Sequence, residues 1–81
     1  MEVKEAKKQF EELGFIYRRE YYGGVEYADD DGLGSNHILI DRDGSVMAYQ
    51  ETVHEGDTPI DITYDMMRAV VQQLREFEVR L

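Results

Sequence analysis

A chain of 81 residues with 42% hydrophobic and 33% charged side chains has the composition of one small folded domain, 1–81, not of a disordered segment. It contains no cysteine, which excludes disulfide staples, Cys-based zinc sites and a thiol nucleophile. Eighteen acids against nine bases give a net charge of −9, the wrong sign for gripping nucleic acid or an anionic membrane surface directly.

Along the chain, Val3, Ala6, Phe10 and Leu13 recur at helical spacing, with Lys and Glu between them. Gly14 follows as a left-handed cap and Phe15 stands where such a cap folds an apolar side chain back, which predicts a helix over about 2–13. FIYRREYY, Gly23-Gly24 and VEYA then read as two strands, about 15–22 and 25–29, joined by a primed Gly-Gly turn. DDDGLGS is a loop by composition. HILID, Arg42-Asp43-Gly44 and SVMAYQETV predict a second hairpin with strands at about 36–42 and 45–53. HILI is apolar on both faces, as in a central strand covered on one side and partly shielded on the other.

HEGDTPID, with the only proline, reads as a polar loop. Thr63 is the expected N-cap of a second helix over about 63–79, with Asp65 in its first turn and Ile62 stapled to Met67. Met67, Val70, Val71, Leu74 and Phe77 mark its expected apolar face, and Met66-Met67 and Phe77 are expected in the core. The order predicts an α+β two-layer sandwich: an antiparallel meander of three or four strands, covered on one face by two helices.

FEELGF, the tyrosine-rich strand pair, HILIDRDGSVMAY and IDITYDMMRAVVQQLREF resemble small phage and prophage proteins of Gram-positive bacteria. Those have a helix ending in Leu-Gly-aromatic, a three-stranded meander and a closing helix begun by Ile-Thr. The resemblance spans nearly the whole chain, and it implies architecture, since its motifs are caps, turns and core positions. More distantly, the size, acidity and layout look like those of some anti-CRISPR proteins, which occupy the DNA-binding surface of a nuclease; that similarity implies a protein partner.

The placement of charge carries the functional expectation. Residues 20–65 hold twelve acids and one base, Arg42, for a net of −11, whereas residues 1–19 and 66–81 each net +1. Asp29-Asp30-Asp31-Gly32 and Asp41-Arg42-Asp43-Gly44 echo the opening of a calcium loop, but each has its glycine at position 4, and position 12 is Ile40 or Thr52 instead of Glu. The second motif therefore reads as a turn; loose cation binding by the triple Asp is the residual alternative. His37 begins a strand and His54 follows Val53 in a loop; both read as surface or pH-sensitive histidines. No HExxH, P-loop or GxSxG motif is present, so a non-enzymatic protein without cofactor or metal is expected.

Tyr17, Tyr21, Tyr22, Tyr27 and Tyr49 share strands with Glu20, Glu26, Asp41 and Glu51. Tyrosines anchor interfaces at low entropy cost, and surface acids steer a basic partner. Asp29, Asp30, Asp31, Asp41, Asp43, Glu26, Glu51, Tyr27 and Tyr49 are thus the candidate contacts to a basic nucleic-acid-handling protein, with the carboxylates standing where phosphates would. The alternative is a phage accessory or structural domain, acting as a homodimer through a leftover apolar strip, whose acidity serves solubility. No apolar run approaches the ~20 residues of a membrane span, and MEVKEAKKQF lacks the apolar stretch of a signal peptide, so a cytoplasmic protein is expected.

Overall fold

A computed structural model describes residues 4–29, 34–52 and 56–79. The first helix, α1, runs Ala6–Glu12 and buries Ala6 and Phe10; Val3 lies outside the described residues. It ends as its sequence dictates. Gly14 has φ 91°, its N–H donates to Glu11 C=O, and Phe15 N–H reaches back to Phe10 C=O at 2.9 Å. These two bonds define a Schellman cap, and its accompanying apolar contact is present as an edge-to-face pair of Phe10 and Phe15, 6.4 Å between centroids.

Five strands follow as a continuous meander in the order β1-β2-β3-β4-β5, all neighbours antiparallel. They are β1 Ile16–Tyr21, β2 Gly24–Ala28, β3 Gly34–Asp41, β4 Val46–Thr52 and β5 Gly56–Pro59. The sheet therefore has one strand more than the three or four expected. Within HEGDTPID, expected as a polar loop, Gly56–Pro59 forms β5 by pairing with β4, Glu51 opposite Asp57 and Tyr49 opposite Pro59.

Two turns separate cleanly by mechanism. At the second hairpin Gly44 takes φ 96°, its N–H donates to Asp41 C=O, and Asp43 Oδ1 accepts from Ser45 N–H at 2.8 Å. This is the Asp-Gly turn expected. At the first hairpin the expectation is corrected: neither Gly23 nor Gly24 adopts positive φ. Gly24 is required for space instead, since a Cβ there would stand 1.9 Å from the carbonyl oxygen of Ile40 on β3.

The second helix, α2, covers Tyr64–Val79. Thr63 caps it as expected, its Oγ1 accepting from Met66 N–H at 3.2 Å. The apolar stripe, however, is Met66, Ala69, Val70, Gln73 and Phe77, with Leu74 half-buried. Met67, expected in the core, is 45% exposed, and Val71 is exposed beside it. The stripe follows i, i+3/i+4, i+7, i+11 from Met66, one residue earlier than expected, because a buried Gln takes a place the apolar pattern left blank.

The helices pack on each other and on one face of the sheet, where Val25, Tyr27, Ile38 and Ile40 join Ala6, Phe10, Met66, Val70 and Phe77 in a single core. This is the two-layer α+β sandwich. Phe10 stacks on Tyr27 at 4.1 Å and Tyr17 meets Tyr27 edge-on at 5.8 Å; such pairs add about 0.5–1.5 kcal/mol each beyond area burial. Arg42, the only base between residues 20 and 65, lies over the Phe77 ring at 4.8 Å, pinned to α2. Among the described residues no helix is long and apolar enough to cross a membrane.

Candidate functional site

Alternation decides what the other face of the sheet carries. Register places Ile16, Ala28, His37, Tyr49 and Pro59 in one transverse row, and Arg19, Glu26, Leu39 and Met47 in the next. Glu51 and Asp57, paired opposite each other, continue the pattern beyond the first row. None of the described elements covers this face, and Ile16 and Met47 stand 49% and 62% exposed on it.

A bulge in β1 makes the centre of the face. Pairing steps from Tyr17–Tyr27 directly to Arg19–Glu26, so Arg18 is the extra residue. With strict alternation Arg19 would share the helix side with Tyr17; the bulge turns it to the open side, where its Nε donates to Glu26 Oε1 at 2.7 Å. His37 Nδ1 lies 2.7 Å from Glu26 Oε2, which assigns a proton to Nδ1. Burial, at 7% exposure, pushes the Glu26 carboxyl up, yet the bonds from Arg19 and His37 outweigh it and hold the group below the usual carboxylate range. Glu26 is a satisfied anion.

The histidine continues the chain of contacts. Its ring stacks on Tyr49 at 4.8 Å, and its buried Nε2 makes no hydrogen bond, with Glu51 Oε2 3.4 Å away. Burial, then the charges of Glu26, Asp57 and Glu51, push the Tyr49 phenol up, so it remains neutral. Glu51 and Asp57 are direct cross-strand partners and both exposed. Like charges directly opposite destabilise a sheet, and an incoming cation relieves them. At the far end of the face Tyr21 donates its hydroxyl to Asp41 Oδ1 at 2.6 Å; burial and that bond raise the phenol well above its ordinary range. Among the described residues no three His, Asp or Glu side chains converge as metal ligands would.

No family model matches this chain, and no curated protein or solved structure does either. The reading of the face therefore rests on its own geometry.

The residues singled out by sequence separate accordingly. Glu26, Glu51 and Tyr49 come together around His37, with Asp41 on the same face. Tyr27 does not: it is 2% exposed on the helix side, its hydroxyl donating to Gln73 Oε1 at 2.6 Å, and as a core residue it is withdrawn as a contact. Asp29 is half-buried, and its two carboxylate oxygens accept from Asn36 N–H and Nδ2 at 2.8 and 2.9 Å, clasping the β2–β3 connection. Asp43 is exposed but serves its turn; the N–H of Ser45 bonded to its carboxylate lowers its pKa. Asp30, Asp31 and His54 lie outside the described residues. Sequence reasoning missed Ile16, Arg19, Met47 and Asp57. Period-two counting back from Glu26 and His37 would have found Met47 and Ile16 once the strand register was known; Arg19 needed the bulge.

Proposed function

We propose that the protein is a non-enzymatic binding module that sets its open sheet face on a basic protein handling nucleic acid, in the manner of a DNA mimic encoded by a phage or mobile element. The supporting observation is the opposed pair Glu51 and Asp57 at the rim of a face that none of the described elements covers and that bears exposed Ile16 and Met47. Apolar anchors beside carboxylates that gain from a cation suit a partner surface of Lys and Arg among apolar side chains. The Glu26–Arg19–His37 cluster keeps the centre of the face shaped without spending the rim acids, and Arg42 is held away on Phe77. A second copy presenting this same acidic face would meet it with like charge, which disfavours self-pairing here.

The test is competition. Purified basic nucleic-acid-binding proteins, with and without duplex DNA, are titrated with the chain by fluorescence anisotropy. The expected result is binding to the DNA-free proteins that DNA and salt reverse and that Glu51→Lys with Asp57→Lys weakens. Binding that persists unchanged with DNA present, or in that double variant, overturns the reading.

A further inference from the structure

The helix layer has an exposed surface of different chemistry, on the side of α2 away from the core. Tyr64, Val71 and Glu78 recur there every seven residues, with Met67 on one flank and Arg68 and Arg75 on the other. All of these but Glu78, together with Gln9 of α1 and Gln72, line a shallow groove of about 410 Å³. A seven-residue repeat of exposed side chains is the geometry of a helix seam, because 3.5 residues per turn keeps one stripe facing a neighbouring helix. The stripe is not the core stripe, which starts from Met66.

The charges on the flanks decide what the seam can accept. A second copy docked antiparallel and centred near Val71 would set Arg68 against Arg75 of the other copy, since equal flanks meet in that arrangement. Docked parallel, it would stack Glu78 on Glu78. Both self-pairings oppose like charges, so the seam discriminates against its own copy. An amphipathic helix with apolar seam positions and acids spaced by seven on one flank places each acid against Arg68 or Arg75 and its apolar residues on Met67, Val71 and Tyr64. We infer that α2 offers a second docking surface, for an acidic amphipathic helix of a different protein, distinct from the acidic sheet face. It goes beyond the function proposed above and stands or falls separately, since no residue is shared between the two surfaces.

The probe is a pair of synthetic helical peptides of about 16 residues, the length of α2, with the same Leu seam and either Glu or Lys at the two flank positions. Binding is followed by amide chemical-shift changes in the full chain. The Glu peptide is expected to move the amides of Gln9, Tyr64, Val71 and Gln72 and leave those of Met47 and Tyr49 in place. The exposed double variant Arg68→Glu/Arg75→Glu, with circular dichroism as the check on folding, is expected to weaken the Glu peptide at least about tenfold and favour the Lys peptide. Equal binding of both peptides, an unchanged affinity in the double variant, or no shifts at about 1 mM peptide overturns the inference. So does a reversible dimer in sedimentation between about 5 and 500 µM that Val71→Asp dissociates, because that would show the seam filled by a second copy.

Discussion

The Glu76 carboxylate of α2 accepts the backbone N–H of Ala6, the first residue of α1, at 2.7 Å. The local N-cap, Glu5, makes no side-chain capping bond, so a helix seventy residues away in sequence supplies the cap. Gln72 Nε2 steadies the same oxygen at 3.1 Å. Glu76→Ala is expected to cost about 1 kcal/mol, the usual value of a lost cap, and to fray α1 first. Urea unfolding gives the total, and hydrogen exchange at Phe10 gives the local part. Equal loss of protection in α1 and β3 would show that the bond does no local capping.

Tyr27 and Gln73 form a second long-range pair, buried between sheet and helix. Tyr27→Phe removes the donor and leaves an amide oxygen in the core, an expected loss of about 1–3 kcal/mol. Adding Gln73→Met to that variant removes the stranded acceptor and is expected to recover part of the loss. A double-mutant cycle by chemical denaturation measures the coupling, and additive losses would show the bond contributes little.

Gly23 and Gly24 are neighbours with opposite expected tolerance. Alanine at Gly24 drives its Cβ into β3 backbone, whereas at Gly23 the nearest atom is Asp41 Oδ1 at 3.3 Å, the end of a side chain. Gly24→Ala is expected to cost about 3 kcal/mol or more, the upper end of overpacking, and Gly23→Ala under about 1 kcal/mol. Thermal melts of the two variants decide it.

Acid should loosen the sheet face. The Glu26 pKa is depressed in the folded chain, so its contribution is full above the unfolded carboxylate value and is lost as pH falls through the lower folded one. The stability difference between wild type and Glu26→Gln is expected to be about 1–3 kcal/mol near neutrality and to shrink progressively below about pH 4.5. Denaturation of both proteins between about pH 2.5 and 6 tests this. A gap that stays constant would mean the charge on Glu26 is not what Arg19 and His37 stabilise.

Local devices were legible in the chain because each lives within a few residues: Gly14 with Phe15, Thr63 before α2, Asp43-Gly44 in its turn. Misreadings arose where a distant partner decides. Met66 and Met67 are adjacent and equally apolar; which one faces the core depends on how α2 meets the sheet, and Gln73 in the stripe masked the phase. Tyr27 and Glu26 are strand neighbours and so face opposite sides, but β2 is buried at every residue, and which side the helices cover is set by how they meet the sheet. β5 has no apolar pattern of its own and exists through β4. The Glu26–Arg19–His37 cluster joins three strands through a bulge, and no spacing along the chain encodes it.

Strand order has one further effect. The outer strands of the meander are β1, interrupted at Arg18 and bearing Arg18, Arg19 and Glu20 in succession, and β5, four residues long and closed by Pro59, which has no N–H to give. Both are poor templates for another strand. Growth of the sheet by edge-to-edge recruitment is disfavoured at both ends, so crowded copies of this chain are steered away from fibre formation.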